Sequence, residues 1–70
     1  SFVAHAYGSL GWIIFNKAKR TNTTVPEEAI KKLNEAIAMY EKIKSGATRS
    51  KILRFKNQIL TISEYIHNNS

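Results

Sequence analysis

An all-α fold, a small bundle of about three helices built on an antiparallel helical hairpin, follows from the spacing of the apolar residues and from where proline and glycine interrupt it. Two long stretches repeat apolar residues every three or four positions, Pro26 stands at the start of one, and Gly46 separates the two. The 70 residues form one domain, 1–70; a domain of this size buries only ~60% of the surface that its unfolded chain exposes, which leaves little room for an enzyme-style cleft. The absence of cysteine excludes a disulfide framework, a thiolate nucleophile and a Cys-based zinc site. With 43% hydrophobic and 23% charged residues the chain is too apolar for disorder and too charged for an integral membrane protein.

The first helix is expected over 1–20. Val3, Tyr7, Leu10 and Ile14 keep helical spacing, and Phe2, Ala6 and Ile13 widen that face. Gly8 and Gly11 oppose it, each by about 1 kcal/mol relative to alanine. A short β-hairpin, Phe2–Tyr7 and Trp12–Phe15 around Gly8–Gly11, is the competing reading because Trp-Ile-Ile-Phe favours strands. Helix is preferred, ending within Asn16–Arg20, with Thr21-Asn22-Thr23 as a polar linker. The apolar run Phe2–Phe15 is shorter than the ~20 residues needed to span hydrocarbon. It is no secretory signal either, because its basic cluster follows rather than precedes it. The chain opens at Ser1 rather than Met, as a trimmed protein or a domain of a longer one does; a membrane partner is expected only if residues precede it.

The second helix is expected over 24–45. Thr24-Val25-Pro26-Glu27 matches a capping box, with Thr24 as N-cap, Pro26 in the first turn and Glu27 reaching back. Ile30, Leu33, Ile37 and Tyr40 then form one apolar face, with Ala29 and Ala36 beside it and Ile43 one turn on. Ser45-Gly46 is expected to close the helix, Gly46 as a left-handed C-cap, with Lys42 and Lys44 at the negative end of its dipole.

The third helix is expected over 48–67, capped by Thr48 or Ser50. Ile52, Phe55, Ile59, Ile62 and Ile66 make a heptad-like seam, and Leu53 and Leu60 add a second apolar line. So wide an arc predicts a helix with two neighbours, in the middle of the packing. Asn68-Asn69-Ser70 reads as a frayed end.

Charge is the main functional signal. The net charge is +6, carried by Lys17, Lys19 and Arg20 and by Lys42, Lys44, Arg49, Lys51, Arg54 and Lys56, two acid-free clusters around a mildly acidic segment. That pattern suits a surface that meets phosphates; the plainer alternative is a solubilising shell. On the third helix Lys51, Arg54, Gln58, Thr61 and Tyr65 follow the helical period away from the seam. Arg and Lys suit phosphate or guanine, Gln suits adenine and Tyr suits stacking, although every amphipathic helix has a polar face. Positive Arg49 and Lys51 oppose the dipole of the helix they begin, a local cost that suggests a use elsewhere. Residues 46–51 also have the makings of a helix-terminal anion site, without the spacing of a nucleotide-binding loop; ordinary capping explains them more simply. Helix, glycine turn and basic helix resemble a helix-turn-helix in outline only, since 24–45 is too long for a positioning helix and the pair reads as antiparallel; no family is assigned.

Other chemistry has few players. Glu64 and His67 have the spacing of a carboxylate–imidazole pair, but His5 is the only other histidine, so no metal and no cofactor are expected. Without Asp or Cys, and with no acid–base pair beside a nucleophile, no catalytic residue is expected and the chain is read as a non-enzyme. Phe2, Tyr7, Trp12 and Phe15 near the first basic cluster read as core before they read as a stacking platform.

The expected function is non-enzymatic binding of nucleic acid, DNA or RNA, by an accessory domain. Phosphates would meet Lys42, Lys44, Arg49, Lys51, Arg54 and Lys56, bases Gln58 and Tyr65, and Lys17, Lys19 and Arg20 would form a second contact. Its place would be the cytoplasm, nucleoid or nucleus. The alternatives are a protein-interaction or oligomerisation module for an acidic partner or a second copy, using Leu53 and Leu60 or the Gly8–Gly11 face, and a small membrane-associated accessory or immunity-type protein using Phe2–Arg20.

Overall fold

The computed structural model describes residues 2–43 and 46–68, the side chain of Phe2 excepted. Within them the chain forms three α-helices and no strand: α1 (Phe2–Arg20), α2 (Glu27–Glu41) and α3 (Gly46–Asn68). The predicted all-α bundle is what forms, and helix replaces the competing hairpin at residues 2–15. Gly8 and Gly11 each face a neighbouring helix at close range. A Cβ on Gly8 would lie 2.6 Å from Phe55 Cε1 on α3, and one on Gly11 would lie 2.6 Å from the Ala29 carbonyl oxygen on α2. The helix-propensity loss at these positions is therefore the cost of an approach that no side chain permits. Both glycines are buried, whereas Leu10 between them is exposed.

α1 ends in a Schellman motif. The Thr23 amide donates to the Ala18 carbonyl at 3.0 Å and the Asn22 amide to the Lys19 carbonyl at 3.2 Å, with Asn22 in the left-handed region at φ 55°. The Thr21 hydroxyl donates to the Lys17 carbonyl at 2.9 Å, so the polar linker is a structured cap.

α2 begins later than the capping box predicts. Its N-cap is Pro26, with φ −68° and ψ 146° and no side-chain cap bond, and the helix starts at Glu27. Thr24 cannot be the N-cap because Val25 would then be helical, a conformation that the ring of the following proline disfavours. Val25 is extended into the core instead, 6% exposed, while Glu27 and Glu28 supply the negative charge favoured in a first turn. The helix also stops before Ser45: the Lys42 and Ile43 amides donate to Met39 and Tyr40 carbonyls, three residues back, and tighten its end. Gly46 is the first residue of α3 rather than a C-cap of α2. Ser45, like Asn69 and Ser70 of the expected frayed end, lies outside the described residues. Thr48, expected as N-cap, lies inside α3, and its buried hydroxyl donates to the Ile43 carbonyl at 2.8 Å, tying the end of α2 to the start of α3.

The central element is α2, not the third helix. α1 and α3 both pack extensively on α2 and only slightly on each other. The core joins Ala4, Phe15 and Ala18 of α1, Leu33, Ala36 and Tyr40 of α2, and Phe55 and Ile62 of α3. Leu53 and Leu60 gain no second neighbour and remain 61% and 59% exposed, because the broad apolar arc of α3 meets one helix where two were expected.

Candidate nucleic-acid interface

The contacts that order the core also fix where the cations lie. Tyr40 stacks on Phe55 with centroids 5.8 Å apart, next to Gly8 of α1, whereas Phe15 meets Tyr65 edge-to-face at 5.5 Å. The helices thus run up, down and up, with α1 and α3 roughly parallel. Lys17, Lys19 and Arg20, in the last turn of α1, lie at the Tyr65 end, whereas Arg49 and Lys51 begin α3 at the Tyr40 end. At 1.5 Å rise per residue the two clusters are roughly 15–25 Å apart along the bundle. Such a distance exceeds the ~8 Å screening length at physiological ionic strength, so they act as separate patches.

Within the larger cluster Lys42, Arg49, Lys51, Arg54 and Lys56 are all exposed, and Lys44 lies outside the described residues. No acidic residue occurs between Glu41 and Glu64, so α3 offers these cations no carboxylate one turn away. They do not share one face. From Arg54 to Lys56 the helix turns about 200°, which puts Lys51 and Arg54 on the flank facing α1 and Arg49 and Lys56 on the other. The Lys51 ammonium also sits over the Tyr40 ring, 5.5 Å from its centroid, and Lys19 sits over Phe15 at 5.1 Å.

Because α1 and α3 barely touch, a groove of about 360 Å³ opens between them. Its α3 wall carries Lys51, Arg54, Phe55 and Gln58, and its α1 wall carries His5, Gly8, Ser9, Trp12 and Ile13. Three residues of the predicted polar stripe, Lys51, Arg54 and Gln58, therefore line one side of a groove, and Thr61 and Tyr65 lie beyond it. Lys51, Arg54 and Thr61 are exposed, as the spacing implies, but Gln58 and Tyr65 are half-buried. Thr61 donates its hydroxyl to the Asn57 carbonyl at 3.1 Å, and the Tyr65 ring spends an edge on Phe15. The Gln58 Oε1 atom is buried and makes no hydrogen bond.

Sequence reasoning assigned no binding role to His5 or Ser9 and placed Trp12 with the core or with the first basic cluster. Trp12 is half-buried against Phe15, centroids 5.2 Å apart, and also borders the groove. The signal for this arrangement is the bare backbone of Gly8, which brings Phe55 under the α1 wall. Among the described residues no three His, Cys, Asp or Glu side chains gather as metal ligands, and no helix is long and apolar enough to cross a membrane.

Comparison with protein-family models, curated proteins and solved structures finds no match for this chain.

Proposed function

We propose that the chain is a non-enzymatic accessory domain that binds nucleic acid through its phosphates, in the cytoplasm, nucleoid or nucleus. What supports this reading is that Lys42, Arg49, Lys51, Arg54 and Lys56 are all solvent-exposed within a stretch, 42–63, that contains no acid. Lys44 belongs to the same stretch by sequence. Arg49 is kept in the first turn of α3, at the positive end of its dipole, where a cation costs about 0.3–1 kcal/mol. That cost is offset when an anionic backbone lies against it. Lys17, Lys19 and Arg20 form a second, separate contact, while Gln58 and Tyr65 reach bases from the α1-facing flank.

Fluorescence anisotropy with labelled single- and double-stranded oligonucleotides, across a range of salt concentrations, tests the proposal. Neutralising three to five phosphates gives a slope of log affinity on log salt of roughly −3 to −4.5 on duplex DNA. The combined changes Arg49→Glu, Lys51→Glu and Arg54→Glu abolish binding. Absence of binding by the unaltered protein at low salt rejects the reading.

A second reading draws on a different observation. Leu53 and Leu60 are about three-fifths exposed one heptad apart on the outer side of α3, a seam that suits a second copy or a partner protein. A dimer in light scattering that dissociates on changing both leucines to Ser favours this alternative.

A further inference from the structure

The outer side of α1 carries an apolar surface that the nucleic-acid reading leaves unused. Val3, Ala6, Leu10, Ile13, Lys17 and Arg20 are spaced by three and four in turn and are all exposed, so they form one stripe about 25 Å long. Val3, Leu10 and Ile13 leave 57%, 42% and 58% of their surface in solvent, more than singly scattered apolar residues amount to, and half-buried Tyr7 and Ile14 border them. Leu10 lies two residues, about 200° of helix turn, from Gly8, which faces Phe55, so the stripe looks away from α3. Each apolar line turns cationic at its next heptad step: Val3 and Leu10 lead to Lys17, and Ala6 and Ile13 lead to Arg20. No acidic residue precedes Glu27.

A second copy packed along the same stripe would set Lys17 and Arg20 against Val3 and Ala6 if antiparallel and against each other if parallel, and α1 has no carboxylate to pair with them. An anionic bilayer matches both parts of the stripe. It offers hydrocarbon to the apolar residues and phosphate to the cations, whose long stems let the charge reach the headgroups. The stripe is the convex outside of one helix, which a fluid surface accepts without a matching groove. We propose that α1 docks the domain on an anionic phospholipid surface, with Val3, Ala6, Leu10 and Ile13 seated at the headgroup–acyl boundary and Lys17 and Arg20 on the lipid phosphates. Such a contact lies in the plane of the interface and needs no spanning helix. While docked, Lys17 and Arg20 are withdrawn from the second nucleic-acid contact, whereas the cations of α3 remain available to nucleic acid.

The chain has no cysteine, so a single one can be introduced and labelled. Leu10→Cys on the stripe and Leu53→Cys on the exposed side of α3 each carry a polarity-sensitive fluorophore, with circular dichroism checking that the helices are retained. Vesicles of phosphatidylcholine alone, or of phosphatidylcholine with an equal part of phosphatidylglycerol, are added, and binding is followed by co-sedimentation and by the emission of the label. The expected result is binding to the anionic vesicles above that to the neutral ones, with a blue shift at position 10 and none at position 53. In the unlabelled protein, Lys17→Gln with Arg20→Gln weakens anionic-vesicle binding roughly 25-fold, about fivefold per cation. Leu10→Ser with Ile13→Ser weakens it about tenfold. If Leu10→Cys fails to fold, Ile13→Cys takes its place. Absence of binding to anionic vesicles at low salt overturns the proposal, as does binding with no shift at position 10 or with an equal or larger shift at position 53. A shift at position 10 that grows with protein concentration in the absence of vesicles assigns the stripe to a second copy and overturns it too. So does a response to an acidic helical peptide and to no vesicle, which assigns the stripe to a protein partner. None of these measurements uses nucleic acid, so the phosphate reading stands or falls separately.

Discussion

Tyr40 is among the largest side chains fully enclosed by the fold, yet its hydroxyl has no hydrogen-bond partner. Its ring contacts both the Phe55 ring and the Lys51 ammonium, and a phenylalanine would keep both contacts. Tyr40→Phe removes only a desolvated hydroxyl, so it is expected to leave stability unchanged or raise it by about 1 kcal/mol, read as the urea midpoint. A midpoint lowered by a comparable amount would mean that the hydroxyl is bonded. Burial of Tyr40 itself was legible in the three-four spacing, because periodicity reports which face a residue occupies. Its unsatisfied hydroxyl was not, nor was the purpose of Gly8 and Gly11. Both depend on how near a neighbouring helix comes, a distance that one helix's own spacing does not encode. At Gly11 the obstacle is backbone, the Ala29 carbonyl, so a clash costing about 1–3 kcal/mol outweighs the roughly 1 kcal/mol of helix propensity that alanine adds.

The α1 terminus illustrates what governs the elements. Asn22 holds a left-handed conformation that costs most residues about 1–2 kcal/mol, asparagine less and glycine essentially nothing. Asn22→Gly is therefore expected to stabilise the fold by up to about 1 kcal/mol, and Asn22→Val to destabilise it by 1 kcal/mol or more, since a β-branched residue resists positive φ. Thermal melts of the three variants check the order Gly, Asn, Val, and any other order removes the cap from the account. Helix existence was legible because three amphipathic repeats agree with one another. The ends were less so, because two local rules competed around Pro26 and the restriction on Val25 overrode the Thr24 capping signature. Thr48 likewise has the chemistry of a cap, but it serves the carbonyl of Ile43 in the preceding segment, a contact that exists only once α3 folds back on α2.

Across the whole molecule, charge was legible and its distribution was not. The two cationic clusters are plain in the sequence, but only the up-down-up arrangement sends them to opposite ends of a bundle whose Cα atoms extend 37 × 19 × 15 Å. Separated patches make separable contributions. Reversing Lys17, Lys19 and Arg20 to Glu is expected to weaken binding of a short oligonucleotide less than reversing Lys51 and Arg54, and to matter more as the oligonucleotide lengthens enough to reach both ends. A length-series titration checks this, and an equal loss at every length would contradict it. The wide arc of α3 pointed to a two-sided central helix, yet α2 holds that place, because the middle of a three-helix chain with short connections can touch both neighbours without a crossover. The same arrangement bears on how the molecule reaches its native state. Each helix lies beside the one next in sequence, so assembly closes mainly short loops, and pairing of distant segments is confined to the slight α1–α3 contact, such as Phe15 with Tyr65. A chain wired in this way belongs with the fastest folders, on the order of microseconds to milliseconds, and α1 and α3 can each dock on α2 without waiting for the other.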